Sequence, residues 1–303
     1  MTTSPRFRRF TLAAVKENPW PYRALIFSLI YVAFDCLVPL VHIDPRHLSQ
    51  LQIAALVIIS TLAFMLLQMA IPRAIVGMRL PVRQSVVGVA LCALIWWLCL
   101  VVHIPYREMP HNIAVAVYLL DQALVGLSLT IALAFLGMML SVIVKEPKLL
   151  LPIALVIMAI DVVGVMTNIG FTANTIARHP EVVQRVSVAM PSVGGLHPIA
   201  FVGPGDALFI PFFFGIVERL RLNMRGTFFT MYGLLALAMI LALARVGNIP
   251  ALFPMGIAIV LANSKYFKFD RSEVFAMIYV GGLAAAAVLG FFLFTHTHLF
   301  HGH

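Results

Sequence analysis

The chain has 303 residues, of which 62% are apolar and only 11% charged, and its mean hydropathy is +1.00. That leaves too little polar surface to solvate a soluble fold of this length, so the solvent for most of the chain is lipid. The net charge of +9 lies in connectors between apolar runs, where Lys and Arg hold topology and meet anionic headgroups, and nucleic acid is not an expected partner.

About twenty apolar residues cross the hydrocarbon core as a helix. A basic cytoplasmic segment, 1–23, leads into the first such run at 24–43. This run is too long for a signal peptide, contains Asp35, and ends in His42-Ile43-Asp44-Pro45 without a small-residue cleavage site, so it is expected to remain as a helix. Further spans are expected at 51–71, 85–102, 112–144, 149–168, 200–217, 226–244, 250–264 and 273–295, followed by a His-rich outer tail, 296–303. The predicted fold class is all-α, a polytopic transmembrane bundle of about nine spans forming one domain over 24–295. Cys36, Cys92 and Cys99 lie inside spans and read as packing residues, since three scattered cysteines make neither a disulfide framework nor a zinc site.

Nine spans divide the connectors between two sides. Sixteen of the 21 Lys and Arg residues fall on one side, and five (Arg46, Arg107, Arg178, Arg185 and Arg245) on the other. The positive-inside rule then puts the N-terminus in the cytoplasm and the C-terminus outside. Splitting the 112–144 run in two would move the later basic clusters outside, so the charges favour a single long helix there. All ten histidines fall on the outer side, and they read as interfacial and tail residues solvated by water, with no metal-ligand helix motif.

A carboxylate inside a membrane helix is costly and marks a functional or tightly paired site. Four qualify: Asp35, Asp121, Asp161 and Asp206. At 1.5 Å per residue they stand roughly 12, 14, 12 and 9 Å from the outer ends of their helices, a depth at which all four can face one polar cavity. Asp35 and Asp121 are expected to be hydrogen-bonded within the bundle, Asp121 beside Gln122 and Tyr118. Asp206 closes Gly203-Pro204-Gly205-Asp206 at a helix start, where the glycines permit close backbone approach and the proline fixes how the helix begins. Asn248-Ile249-Pro250-Ala251-Leu252 opens the eighth span on the same side, and Pro250 disfavours helix at Ile249, leaving backbone groups free to pair. In the connector 169–200, residues 182–193 carry a partly alternating pattern (Val183, Val186, Val188, Met190) that suits pairing with an extended strand.

Over residues 149–264 the sequence resembles the presenilin and signal-peptide-peptidase family. The family's Gly-x-Gly-Asp motif matches Gly203, Gly205 and Asp206, its Pro-Ala-Leu motif matches Pro250, Ala251 and Leu252, and Asp161, in Ala159-Ile160-Asp161-Val162-Val163, fills the place of its first aspartate. The sequence departs from the family at Ile160, where the family has Tyr. It also has four expected spans before the Asp161 helix in place of five, and one extra span after Pro-Ala-Leu. Prepilin peptidases share Gly-x-Gly-Asp but follow it with a Lys, which Asp206-Ala207-Leu208 lacks.

The resemblance implies an intramembrane aspartyl protease in which Asp161 and Asp206 are catalytic and Gly203, Gly205, Pro250, Ala251 and Leu252 support the site or the substrate. Its partners are transmembrane segments of other membrane proteins, and it needs no metal or organic cofactor. Two carboxyl groups sharing one water in a low-dielectric site do not both ionise, so one holds a proton while the other acts as base. The rival readings are a proton-coupled secondary transporter or channel that relays protons through the same acids, and a catalytically inactive relative that binds helices. The transporter reading expects an inverted repeat, and the sequence displays none.

Overall fold

A computed structural model describes residues 18–41, 49–102, 109–166, 185–193, 195–244 and 249–267, with isolated positions from 270 to 290. The expected N-terminal segment to residue 17, the His-rich tail and nearly all of the 273–295 span lie outside the described residues.

Eight helices and one β-hairpin follow in chain order: α1 (Trp20–Leu37), α2 (Gln50–Gly77), α3 (Val82–Val101), α4 (His111–Leu140), α5 (Leu150–Met166), β1 (Val188–Ser192), β2 (Gly195–Val202), α6 (Pro204–Arg219), α7 (Met224–Leu243) and α8 (Leu252–Asn263). Among the described residues, five helical segments are long and apolar enough to cross a membrane: Trp20–Leu40, Leu51–Gly77, Val82–Val101, His111–Ile143 and Met224–Leu243. Their outward faces are apolar, as in α3, where Val87, Leu91, Leu94 and Trp97 are exposed and Ser85 is buried. Water does not tolerate a surface of that kind over a whole helix, and lipid does. The chain is a helical membrane protein.

Local chemistry sets the helix ends. Ser49 caps α2 in a reciprocal box: its hydroxyl accepts from the Gln52 N–H at 3.3 Å, while the Gln52 carbonyl accepts from the Ser49 N–H at 2.9 Å. Asn223 caps α7 by accepting from the Gly226 N–H at 3.0 Å. After α6 the chain turns through Arg221 at φ 53°, and the Leu222 N–H returns to the Val217 carbonyl at 2.9 Å, the six-to-one bond of a helix stop made here without glycine.

The long helix α4 is central and packs against α1, α2, α3, α6 and β1. Two apolar cores flank it. One joins α2, α4 and α5 to α6, α7 and α8 around Phe213, Phe214, Met231 and Met255; the other joins α1, α2 and α4 to the hairpin around Tyr31, Phe64, Val188 and Met190. Lipid supplies no hydrophobic drive between helices, so close approach through small residues matters. At the α4/α6 crossing, a Cβ on Gly137 would stand 2.6 Å from the Leu208 carbonyl oxygen. At the α5/α8 crossing, one on Gly256 would stand 2.5 Å from the Met158 Cγ.

The run 112–144 is one helix followed by a short 3-10 turn, Ser141–Ile143, the arrangement that the charge distribution favours. The all-α expectation misses the hairpin. Residues 195–202 form a strand, so the helix expected from residue 200 begins at Pro204. The physical reason is Gly203-Pro204: proline at the first helical position lacks only an N–H that the helix would leave unpaired. β1 pairs antiparallel with β2 in the register Val188↔Val202 and Met190↔Ala200, with an irregularity at Pro191. The alternation in 188–192 therefore reflects pairing within the chain, with Val188 and Met190 turned into the core.

Candidate active site

Asp161 lies in α5, one turn beyond Met158, where that side chain meets Gly256 of α8. The missing side chain at Gly256 lets the two helices close on each other, and the first turn of α8 arrives beside the aspartate. The Leu252 N–H donates to Asp161 Oδ2 at 2.8 Å. The Phe253 N–H, which also reaches the Pro250 carbonyl at 3.2 Å, faces the same carboxyl group. Pro254 has no N–H to satisfy. Pro250-Ala251-Leu252 thus presents the Leu252 N–H at a helix N-terminus, and Asp161 receives it.

Asp206 is the third residue of α6, and its carboxyl group turns back toward Gly203 at the N-cap of that helix. Its neighbour across the site is Asp161, close enough for the two charges to act on each other. Both aspartates are half-buried. Gly203 lies against Asp206, a Cβ there falling 3.5 Å from Oδ2, whereas a Cβ on Gly205 would meet nothing within 4 Å. The close approach expected of Gly205 is therefore not made inside the described chain. Pro204 and Gly205 are exposed and leave an open face beside the carboxyl group.

The cavity that Asp35 lines takes in none of the other three intramembrane acids among its described lining. Asp35 is buried in α1 and lines a cavity of about 40 Å³ with Tyr118 and Gln122 of α4 and Ala189, Pro191 and Ser192 of β1. That volume suits a water or two, and the lining is polar enough to hold them. Asp121 stands beside Cys99 of α3. Tyr118 and Gln122, expected beside Asp121, also line the cavity of Asp35.

Sequence reasoning missed the amide donor at Leu252 as such, since a backbone group carries no residue-type signal. Its trace was Pro250, which marks where a helix starts. Among the described residues, no group of three or more His, Cys, Asp or Glu side chains converges to hold a metal. Two carboxyl groups within electrostatic reach of each other, with an open flank, suit water activation and proton transfer. Comparison with protein-family models, with curated proteins and with solved structures finds no match to this chain.

Proposed function

We propose that the chain is an intramembrane aspartyl protease of the presenilin and signal-peptide-peptidase type, hydrolysing peptide bonds in the transmembrane segments of other membrane proteins. One observation carries the reading: Asp161 and Asp206, from helices separated by a connector and a hairpin, come within electrostatic reach of each other, and Leu252 of Pro-Ala-Leu donates to Asp161. One carboxylate takes a proton from water as the oxygen attacks the scissile carbonyl. The other carboxyl group gives its proton to the leaving nitrogen as the C–N bond breaks. The two protons belong to the pair, so neither role is assigned to one residue.

An extended substrate fits beside β2, which runs through Val202 to Gly203 and has one edge not taken by β1. Cleavage of a reporter transmembrane helix by the purified protein, stopped by a transition-state mimic of aspartyl proteases, is the expected result. Cleavage indifferent to the mimic, or proton flux in proteoliposomes with no cleavage of any reporter, would overturn the reading.

The same reading carries nine spans, a cytoplasmic N-terminus, an outer C-terminus, and substrates whose own N-terminus is cytoplasmic. Ion pairs and hydrogen bonds gather the ends of α2, α4 and α6 at one pole: Glu218 meets Arg79 at 2.7 Å and Arg73 at 3.4 Å, and Arg219 donates to the Ser141 and Val144 carbonyls. The Asp206 end of α6 is the opposite pole. With Cys36, Cys92 and Cys99 replaced, a cysteine at Ser192 is expected to react with an impermeant reagent from outside, and one at Ser264 is not. The reverse pattern would invert the orientation and the substrate preference with it.

A further inference from the structure

At the basic pole a groove of about 390 Å³ runs between α1, α2 and α7. Three arginines line it, Arg23, Arg73 and Arg225, and among the described residues no acidic side chain does. The remaining wall is largely aromatic, with Phe27, Phe228 and Phe229 below the charges. None of these residues belongs to the Asp161/Asp206 site, so the groove can be assessed apart from the proteolytic reading.

The arginines are held apart from solvent to different degrees. Arg23 and Arg225 are exposed at the rim. Arg73 is 18% exposed; its Nη2 reaches Glu218 at 3.4 Å, while its Nη1 is buried and has no hydrogen-bond partner among the described residues. An unmet buried donor on a permanently charged guanidinium is costly, and an anionic oxygen is the partner it suits best. Trp20 organises the charges: the guanidinium carbons of Arg73 and Arg23 stand 4.2 and 4.8 Å from its ring centroid. The ring itself lies over Gly77, where any Cβ would collide with the indole. Among the described residues, two like charges thus converge on one ring, and the carboxylate nearby, Glu218, is shared between Arg73 and Arg79.

All three arginines lie within about a turn of a helix end, near the start of α1, the finish of α2 and the start of α7. That is the depth of lipid headgroups, and the wall below is apolar, with Phe229 65% exposed to the bilayer. We infer that this groove binds an anionic glycerophospholipid, its phosphate held by Arg23, Arg73 and Arg225 and its acyl chains laid along Phe27 and Phe229. A free phosphate would satisfy the charges but leave the aromatic wall unused.

Native mass spectrometry of the full-length protein in detergent, with phosphatidylglycerol or phosphatidylcholine of the same chains, tests this. Phosphatidylglycerol is expected to bind at least about tenfold more tightly, because the zwitterion cancels the charge that the arginines read. Arg225→Gln is expected to weaken it about fivefold and the Arg23→Gln/Arg225→Gln pair about 25-fold. Both residues are exposed, so these variants keep the fold even if Arg73→Gln does not. Arg83→Gln, at the same pole but outside the groove, should bind as the wild type does. Equal binding of the two lipids, or a double variant that binds phosphatidylglycerol normally, would overturn the assignment. So would displacement of the lipid by millimolar inorganic phosphate, which would make this a site for the free anion.

Discussion

Asp206→Asn and Asp161→Asn are each expected to cut reporter cleavage by about 10²- to 10⁴-fold, while the protein stays inserted and folded. Asn has the shape of Asp and keeps a carbonyl oxygen. Asp161→Asn can therefore still accept from the Leu252 N–H. What the amide cannot do is exchange a proton with water or with the leaving nitrogen. Asp121→Asn should retain most activity, because Asp121 stands beside Cys99 of α3. An inactive Asp121→Asn together with an active Asp161→Asn would move the first aspartate to Asp121 and sink the assignment.

The largest expected loss of stability comes from Gly137. A Cβ there would lie 2.6 Å from the Leu208 carbonyl oxygen, 2.8 Å from the Phe212 nitrogen and 2.8 Å from the Pro211 Cγ, and two of these are backbone atoms that cannot swing aside. Gly137→Ala should therefore cost about 1–3 kcal/mol through overpacking, and Gly137→Leu should yield no monodisperse protein. Gly205→Ala is the contrast: it meets nothing within 4 Å and should shift stability by no more than about 0.5 kcal/mol. Thermal unfolding in detergent separates them, and a Gly137→Ala protein that melts with the wild type would show that α4 and α6 do not cross this closely.

Sequence alone reveals much of this fold, because a span is a composition and composition is local. The run 112–144 and a helix start just after Pro250 follow from counting apolar residues and charges. The hairpin does not, because Ile199-Ala200-Phe201-Val202 is a short apolar stretch joined to an apolar helix, and length is the only local guide between strand and helix. Gly203-Pro204 held the missing boundary. In the site, depth placed all four acids in one half of the membrane, but depth says nothing of azimuth. Whether Asp35 turns toward Tyr118 or toward Asp161 depends on how α1 is rotated against α4, which no spacing within either helix encodes.

The seam between β2 and α6 bears on what kind of unit this protein is. Val202 ends the strand and Pro204 begins the helix, leaving Gly203 as the joint. Val188 and Met190 fix the hairpin among Tyr31, Phe64 and Ala134, side chains from α1, α2 and α4. The position of Asp206 is thus set by residues more than 70 places upstream. A segment cut at 149–264 would contain both aspartates and Pro-Ala-Leu yet lack the surface that seats its own hairpin. The motif-bearing half is no transplantable cassette: the first four helices contribute no atom to the aspartate pair and still determine where one of its members stands.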